Sequence, residues 1–158
     1  RAEPPALRRL NAVLVLALGA AVVLLQPLWR GGDPLTGPPG LLREAPGELA
    51  RALAATAGPA DRAVVPQPWA SWFEWAAPGV PVMVDSRVEV VPVSAWEDYL
   101  VIVAGGPPAL ETLERIAATV VVVDPATQGA LDATLRMAGS GWRLGYGDDD
   151  GTLFVPDP

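Results

Sequence analysis

An apolar run near the start is the feature that most constrains this chain. Leu10 to Trp29 reads LNAVLVLALGAAVVLLQPLW, and residues 12–25 carry no polar side chain. Twenty helical residues extend about 30 Å, which matches the hydrocarbon thickness of a bilayer. In hydrocarbon the backbone must bond internally, and this favours a helix despite the β-branched valines. The run predicts a transmembrane helix over residues 10–29, after a cytoplasmic flank over residues 1–9.

The charges beside the run predict its orientation. Three arginines precede it, whereas Arg30 alone follows it directly. The positive-inside rule then places residues 30–158 outside the cytoplasm. The competing interpretation is a secretory signal peptide, which is disfavoured because no small-x-small cleavage site occurs before Gly31. Because the first residue is Arg1 rather than Met, we expect either a processed chain or a piece of a longer one.

Composition narrows the possible chemistry. The sequence has no cysteine and no histidine, which excludes thiol nucleophiles, disulfides, Cys/His zinc sites and histidine bases within this chain. Residues 44–158 carry six arginines and sixteen acidic residues, so their formal charge is 6 − 16 = −10. An acidic surface repels phosphate backbones, so nucleic acid is not expected as a partner. All eleven basic residues are arginine, a usage typical of GC-rich bacterial genomes.

Hydrophobic patterning predicts the folded part. A Gly/Pro linker and an amphipathic helix are expected over residues 30–60, and an α/β domain over residues 61–158. The expected fold is a small three-layer domain with a mostly parallel sheet and a C-terminal antiparallel hairpin. Its expected strands are 62–66, 80–84, 119–123, 142–146 and 152–155. Its expected helices are 69–77, 94–104, 108–118 and 125–138, the second started by a Ser94/Glu97 capping box and the last capped by Asp124.

The first candidate site is a tryptophan-rich segment, PWASWFEW over residues 68–75. Exposed tryptophans such as Trp72 can stack on sugar faces or lie at a bilayer surface. Packing between the helix and the sheet is the alternative, because the aromatic spacing makes one broad apolar face. Glu74 is a carboxylate among aromatic side chains, where desolvation would raise its pKa and suit it to acid/base work. A Glu that faces water or pairs with an arginine is the alternative for Glu74.

The second candidate site follows a predicted strand at the end where open α/β sheets bind ligands. Its sequence is Asp-Ser-Arg-Val-Glu, and in an extended chain Asp85, Arg87 and Glu89 share one face. An arginine between two carboxylates keeps all three groups charged. The segment is either a structural ion-pair ladder or a polar patch that binds a polar or phosphorylated substrate through Arg87.

The third candidate is the acidic turn at Asp148-Asp149-Asp150-Gly151. Three carboxylates could bind calcium, but no bidentate glutamate follows at EF-hand spacing. A hairpin turn is the favoured interpretation, and no metal site is predicted.

Four segments carry a resemblance to a known family: PQPWASWFEW (66–75), VPVMVDSRVEVVP (80–92), WEDYLVI (96–102) and GWRLGYGDDDGTLFV (141–155). They resemble the C-terminal extracytoplasmic domain of multi-spanning bacterial membrane proteins similar to GT-C-type glycosyltransferases, the relatives of protein mannosyltransferases. The resemblance implies a polyprenyl-phosphate sugar donor and further transmembrane helices as partners. It also implies that the catalytic carboxylate lies in an outer loop that this chain lacks, so no residue here is assigned as catalytic.

The expected function is therefore that of the C-terminal part of a multi-spanning glycosyltransferase-like protein of the bacterial plasma membrane. Its outer domain would cap the membrane-embedded site and help to bind an acceptor or a lipid-linked sugar. Whether this chain forms part of an enzyme is left open. The substrate-binding candidates are Trp72, Glu74, Asp85, Arg87 and Glu89, and the expected partners are the lipid bilayer and the remaining transmembrane helices. No bound cofactor is expected. The alternative is a non-catalytic, membrane-anchored binding or scaffold domain of the cell envelope.

Overall fold

The computed structural model describes residues 5–25 and 45–158. The chain divides into two units, residues 1–43 and 44–158. In the first unit, helix α1 runs over Pro5–Leu25. No helix among the described residues is both long enough and apolar enough to cross a membrane. The predicted transmembrane helix finds no support there. Its residues 26–29, and residues 30–44 of the predicted linker and amphipathic helix, lie outside the described residues.

The second unit is an α/β domain with a four-stranded sheet. Its helices and strands follow in chain order: α2 (Gly47–Thr56), β1 (Ala63–Val64), α3 (Gln67–Ala76), α4 (Val93–Ala104), α5 (Pro107–Arg115), β2 (Val120–Val123), α6 (Gly129–Leu135), β3 (Trp142–Gly147) and β4 (Thr152–Pro156). The strand order across the sheet is β1-β2-β4-β3.

The sheet is mixed, so the prediction of a mostly parallel sheet is wrong. β1 and β2 are parallel, whereas β4 is antiparallel to both β2 and β3. The predicted C-terminal antiparallel hairpin is confirmed, and its second strand pairs directly with β2. Two antiparallel ladders therefore outnumber the one parallel ladder between named strands.

The predicted strand over residues 80–84 is reduced to a single parallel bridge between Ala63 and Val82. The Ala63 amide donates to the Pro81 carbonyl at 3.1 Å, and the Met83 amide donates to the Ala63 carbonyl at 2.9 Å. Pro81 has no N–H to extend the ladder. Beyond Val84 the chain turns, because the Val90 amide bonds the Arg87 carbonyl at 3.1 Å. The sequence leaves residues 85–92 open as a charged loop or a strand continuation, and the structure shows a loop.

Two predicted helix caps are also wrong. Pro92 occupies the N-cap of α4, and no side chain caps that helix, so Ser94 lies inside it. Asp124 instead holds a turn: its carboxylate accepts from the Ala126 amide at 2.9 Å and from the Thr127 hydroxyl at 2.7 Å. This turn uses up the residues expected to form the first helical turn, so α6 begins only at Gly129.

Alternating side chains of β2 supply two cores on opposite faces of the sheet. Val120 and Val122 join a cluster with α2 and α3, whose buried members include Leu53 and Phe73. The other face carries a second cluster built with α4, α5 and α6. Its fully buried side chains include Ile102, Leu113, Val121, Val123 and Leu135. Strand residues buried on both faces read as a continuous apolar run, as TVVVV does.

Candidate binding site around Arg87

Helix α3 presents two polar side chains, one turn apart, to the loop that follows Val84. Ser71 and Ser86 share a hydrogen bond with 2.7 Å between their hydroxyl oxygens. One turn further along α3, Glu74 accepts a hydrogen bond from Arg87, with 2.8 Å between Oε1 and Nη2. Residues three apart lie on one face of a helix, so the two contacts together fasten the loop to α3.

Within the loop, Arg87 closes back onto Asp85. The Arg87 amide donates to Oδ1 of Asp85 at 2.6 Å, and Nε donates to Oδ2 at 2.8 Å. Nη2 forms a further ion pair with the same carboxylate. Asp85 is 5% exposed, whereas the Arg87 side chain is 61% exposed. Glu74, Asp85 and Arg87 form what we call the Arg87 cluster, a buried carboxylate covered by a surface arginine.

Contacts within the cluster stabilise the ionised forms of Asp85 and Arg87. Hydrogen bonding from Arg87 keeps the pKa of Asp85 below its usual value, although burial acts in the opposite direction. Hydrogen bonding to Asp85, with the charges of Asp85 and Glu74, raises the pKa of Arg87. Asp85 therefore stays ionised at neutral pH and cannot act there as a general acid. Its chemistry is that of a fixed acceptor and positioning group.

The cluster borders an open cleft of about 580 Å³. The lining combines Glu74 and Arg87 with apolar and proline residues: Pro59, Pro78, Gly79, Val80, Pro81 and Val82. In Arg87 the nitrogens Nε and Nη2 are engaged, while Nη1 has no bond to any residue that the structure describes. A free donor and a carboxylate at the rim of a cleft can recognise a polar ligand.

The five sequence candidates do not all meet. Glu74, Asp85 and Arg87 come together, but Glu89 is exposed and makes no ion pair with the described part of the chain. The loop turns before Glu89, so the extended three-residue face does not form. Trp72, on α3, packs against the first core, and its indole Nε1 is buried without a partner among the described residues.

One aromatic side chain of the tryptophan-rich segment faces solvent. Trp75 is 55% exposed, and its ring lies 5.0 Å from that of Trp72, tilted by 36°. Trp75 directly follows Glu74 in α3. The exposed aromatic surface that the segment predicts is thus supplied by Trp75 rather than by Trp72, because Trp72 belongs to the helix face that meets the sheet.

A buried polar network lies at the carboxyl end of the parallel strands, and the sequence does not predict it. The hydroxyl of Tyr99 accepts from the Gln67 amide at 2.8 Å and from Nε2 of Gln128 at 3.4 Å. Burial raises the pKa of Tyr99. Gln128, itself 6% exposed, accepts from the Asp124 amide at 3.3 Å. The network joins side chains that lie far apart in the sequence, so no local sequence pattern predicts it.

The acidic turn at 148–151 uses its first carboxylate on its own backbone. Oδ1 of Asp148 accepts from the amides of Asp150 at 2.9 Å and Gly151 at 3.0 Å. The Tyr146 hydroxyl donates to Oδ2 of Asp148 at 3.0 Å. These bonds belong to a hairpin turn, in which a side chain mimics a backbone acceptor.

Among the described residues, the Arg87 cluster and its cleft form an arrangement that can hold a polar ligand. Comparison of the chain with protein-family models, with curated proteins and with solved structures finds no match.

Proposed function

We propose that this chain is the membrane-anchored C-terminal part of a multi-spanning bacterial envelope protein resembling GT-C-type glycosyltransferases. Its domain over residues 61–158 would lie outside the plasma membrane and bind the sugar portion of a donor or acceptor. The support is the resemblance in four segments, the apolar run over 10–29 and the Arg87 cluster at its cleft. The polyprenyl-phosphate donor and the partner helices come from the resemblance alone.

The Arg87 cluster is the observation that carries the sugar proposal. Two carboxylates and one arginine give the cluster a net charge of −1 + −1 + 1 = −1. A phosphate approaching it would meet net repulsion, whereas an uncharged hydroxyl can donate to Glu74 and accept from Nη1 of Arg87. The cluster thus favours the hydroxyls of a sugar over the phosphate of its lipid carrier.

An exposed aromatic side chain elsewhere on α3 suits the same ligand class. Trp75 exposes more than half of its surface, but it does not line the cleft beside the Arg87 cluster. Tryptophan combines a large apolar face with a polar edge, which suits the C–H face of a pyranose ring. The proposal needs hydroxyl recognition by the Arg87 cluster, and stacking on Trp75 would be a separate contact outside the cleft.

The proposal gives these residues a binding role. Asp85 fixes Arg87, Arg87 and Glu74 hold hydroxyls, and the bond-making groups belong to the part of the enzyme outside this chain. Loss of Arg87 should therefore weaken binding more than it changes the rate at saturating substrate.

A sugar panel tests the proposal. The full chain in a mild detergent is titrated with methyl hexopyranosides, and binding is followed by saturation-transfer NMR and tryptophan fluorescence. We expect Glu74→Gln to weaken binding about tenfold and Arg87→Ala more strongly, since each removes a charge-assisted hydrogen bond. Arg115→Ala is the matched control, because it removes an arginine that pairs with Asp98 away from the cleft.

The outcomes separate the proposals. Equal loss in the Arg87→Ala and Arg115→Ala variants would contradict the site. Failure of every sugar to bind the folded chain would favour the alternative, a scaffold domain without a ligand. The anchor is tested separately, by extraction of the membrane fraction at alkaline pH and by the coding sequence upstream of Arg1. Further apolar spans there would support the polytopic protein, and a signal-peptide start would contradict it.

A further inference from the structure

Arg143 differs from the other arginines of the described domain. It is exposed on β3, and its side chain makes no hydrogen bond or ion pair with any described residue. Each of the others has a partner. Arg51 pairs with Glu48, Arg62 donates to the Ile116 carbonyl, Arg87 pairs with Asp85 and Glu74, Arg115 pairs with Asp98, and Arg136 pairs with Asp132. In a domain with such an excess of carboxylates, an unpaired arginine has a free, fully available fork of donors.

Arg143 lies in a polar cleft of about 450 Å³. The cleft is at the amino end of the parallel strands, away from Asp85, where β3 begins and β4 ends. Its lining is Thr56, Asp61, Thr119, Val120, Arg143, Gly145, Val155 and Pro156. One arginine and two threonines therefore line one open space between α2, β2 and the hairpin.

The two hydroxyls can donate into the cleft. The oxygen of Thr119 accepts a hydrogen bond from the Arg62 amide at 2.9 Å, which leaves its O–H free to donate. Thr56 is exposed at the end of α2 and has no partner among the described residues. Together with the fork of Arg143, these groups form a set of donors suited to an oxyanion.

Charge decides which oxyanion fits. Asp61 shares the cleft, and one of its oxygens already accepts from the Gly58 amide at 2.8 Å. One arginine against one carboxylate leaves the cleft neutral, inside a domain whose formal charge is strongly negative. A doubly charged phosphate would meet more repulsion than one arginine offsets. A singly charged carboxylate matches the planar fork and adds the least charge.

We propose that this cleft is a second ligand site, which binds the carboxylate group of a small molecule or peptide end through Arg143, with Thr56 and Thr119 as supporting donors. The site is independent of the Arg87 cluster, since the two clefts share no lining residue.

The test is an NMR titration of the full ¹⁵N-labelled chain in a mild detergent, with sodium acetate as the probe. Acetate should shift the Arg143 Nε–H and Thr119 amide resonances in a saturable way, with a Kd of about 10 mM, a weak affinity that its few atoms dictate. Arg143→Gln should weaken binding by about tenfold or more, and Thr56→Ala by about threefold. Inorganic phosphate at equal concentration should bind more weakly than acetate.

Arg115→Gln is the matched control, because it changes the net charge equally at an arginine that pairs with Asp98 and does not line the cleft. N-acetylglycine and glucuronate then distinguish a peptide carboxylate from a sugar acid as the natural ligand type, and tighter binding of either supports the site. The proposal is overturned if Arg143→Gln and Arg115→Gln reduce the shifts equally, if acetate produces no saturable shift, or if phosphate binds more tightly than acetate.

Discussion

Two acidic loops of the domain shift the pKa of a carboxyl group in opposite directions. In the loop after Val84, Arg87 follows Asp85 by two residues and holds its pKa down. In the turn at 148–151 there is no arginine, and burial together with the charges of Asp148 and Asp149 raises the pKa of Asp150. The first loop gains stability from its ionised carboxylate, whereas the second loses some.

The two loops are held in place by different interactions. The Arg87 loop is held by charged hydrogen bonds to Asp85 and Glu74, and by the link from Ser86 to Ser71. The acidic turn is held by backbone bonds to Asp148 and by the close fit of Gly151. Substitutions that add atoms should therefore destabilise the acidic turn, and substitutions that remove a charge should destabilise the Arg87 loop.

The largest effect is expected from Gly151→Ala. A Cβ at Gly151 would lie 2.7 Å from the Val123 carbonyl oxygen and 3.0 Å from Cδ2 of Leu49. The carbonyl belongs to β2 and cannot move without disturbing the β2–β4 ladder. We expect a loss of about 1–3 kcal/mol in the free energy of unfolding, measured by urea denaturation.

Gly129→Ala is the matched control for that change. Nothing lies within 4 Å of a Cβ at Gly129, and its φ is not in the left-handed region. The control should be neutral or slightly stabilising. An equal loss in both variants would show that the fit of Gly151 does not hold the turn.

A smaller but clear effect is expected from Arg87→Met. This variant leaves the carboxylate of Asp85, whose side chain is 7% exposed, without its arginine. Arg115→Met makes the same change beside Asp98, whose side chain is 24% exposed. The thermal midpoint at pH 7 should fall by several degrees for Arg87→Met and by less for Arg115→Met, because water can solvate Asp98 more readily.

The pH dependence of the same variant identifies the cause. Since the pKa of Asp85 is lowered in the folded state, its stabilisation is present above the unfolded value of about 3.8 and is lost as pH falls through the lower folded pKa. The difference in midpoint between wild type and Arg87→Met should therefore shrink as pH falls below about 4. A difference that stays constant to pH 2 would assign the effect to lost packing instead.

The smallest effect, opposite in sign, is expected from Asp150→Asn. The pKa of Asp150 is raised, so the folded state favours the protonated acid and loses stability as pH rises through that pKa. Removing the charge should stabilise the chain at pH 7 by about 0.2–0.5 kcal/mol, after allowance for solvent screening. The gain should shrink at pH 3 and in 1 M salt, and a gain unchanged by either would rule out an electrostatic origin.

The sequence predicted the elements with strong local patterns. TVVVV was recognisable as a buried strand, and the turn residues between two apolar segments indicated the C-terminal hairpin. The α/β class followed from alternating elements. The position of β4 next to β2 did not, because strand order depends on long-range packing rather than on local propensity.

The candidate site shows the same division. The association of Asp85 with Arg87 is local and was foreseeable from their spacing. The contribution of Glu74 depends on how α3 packs against the loop, and the exposure of Trp75 depends on which helix face meets the sheet. Arg143 gave no signal, since an arginine in a strand becomes noteworthy only when its surroundings are known to lack a partner.

The position of β4 between β2 and β3 affects how the domain folds during its synthesis. β4 is the last strand in sequence, yet it lies between β2 and β3 and carries Leu153 and Phe154 into both cores. During synthesis, the edge of β2 that pairs with β4 stays unpaired until residues 152–156 have been made. An unpaired strand edge is prone to wrong association. The nascent domain should therefore depend on chaperones until its last strand emerges, and a truncation before Thr152 should leave a chain that cannot complete its sheet.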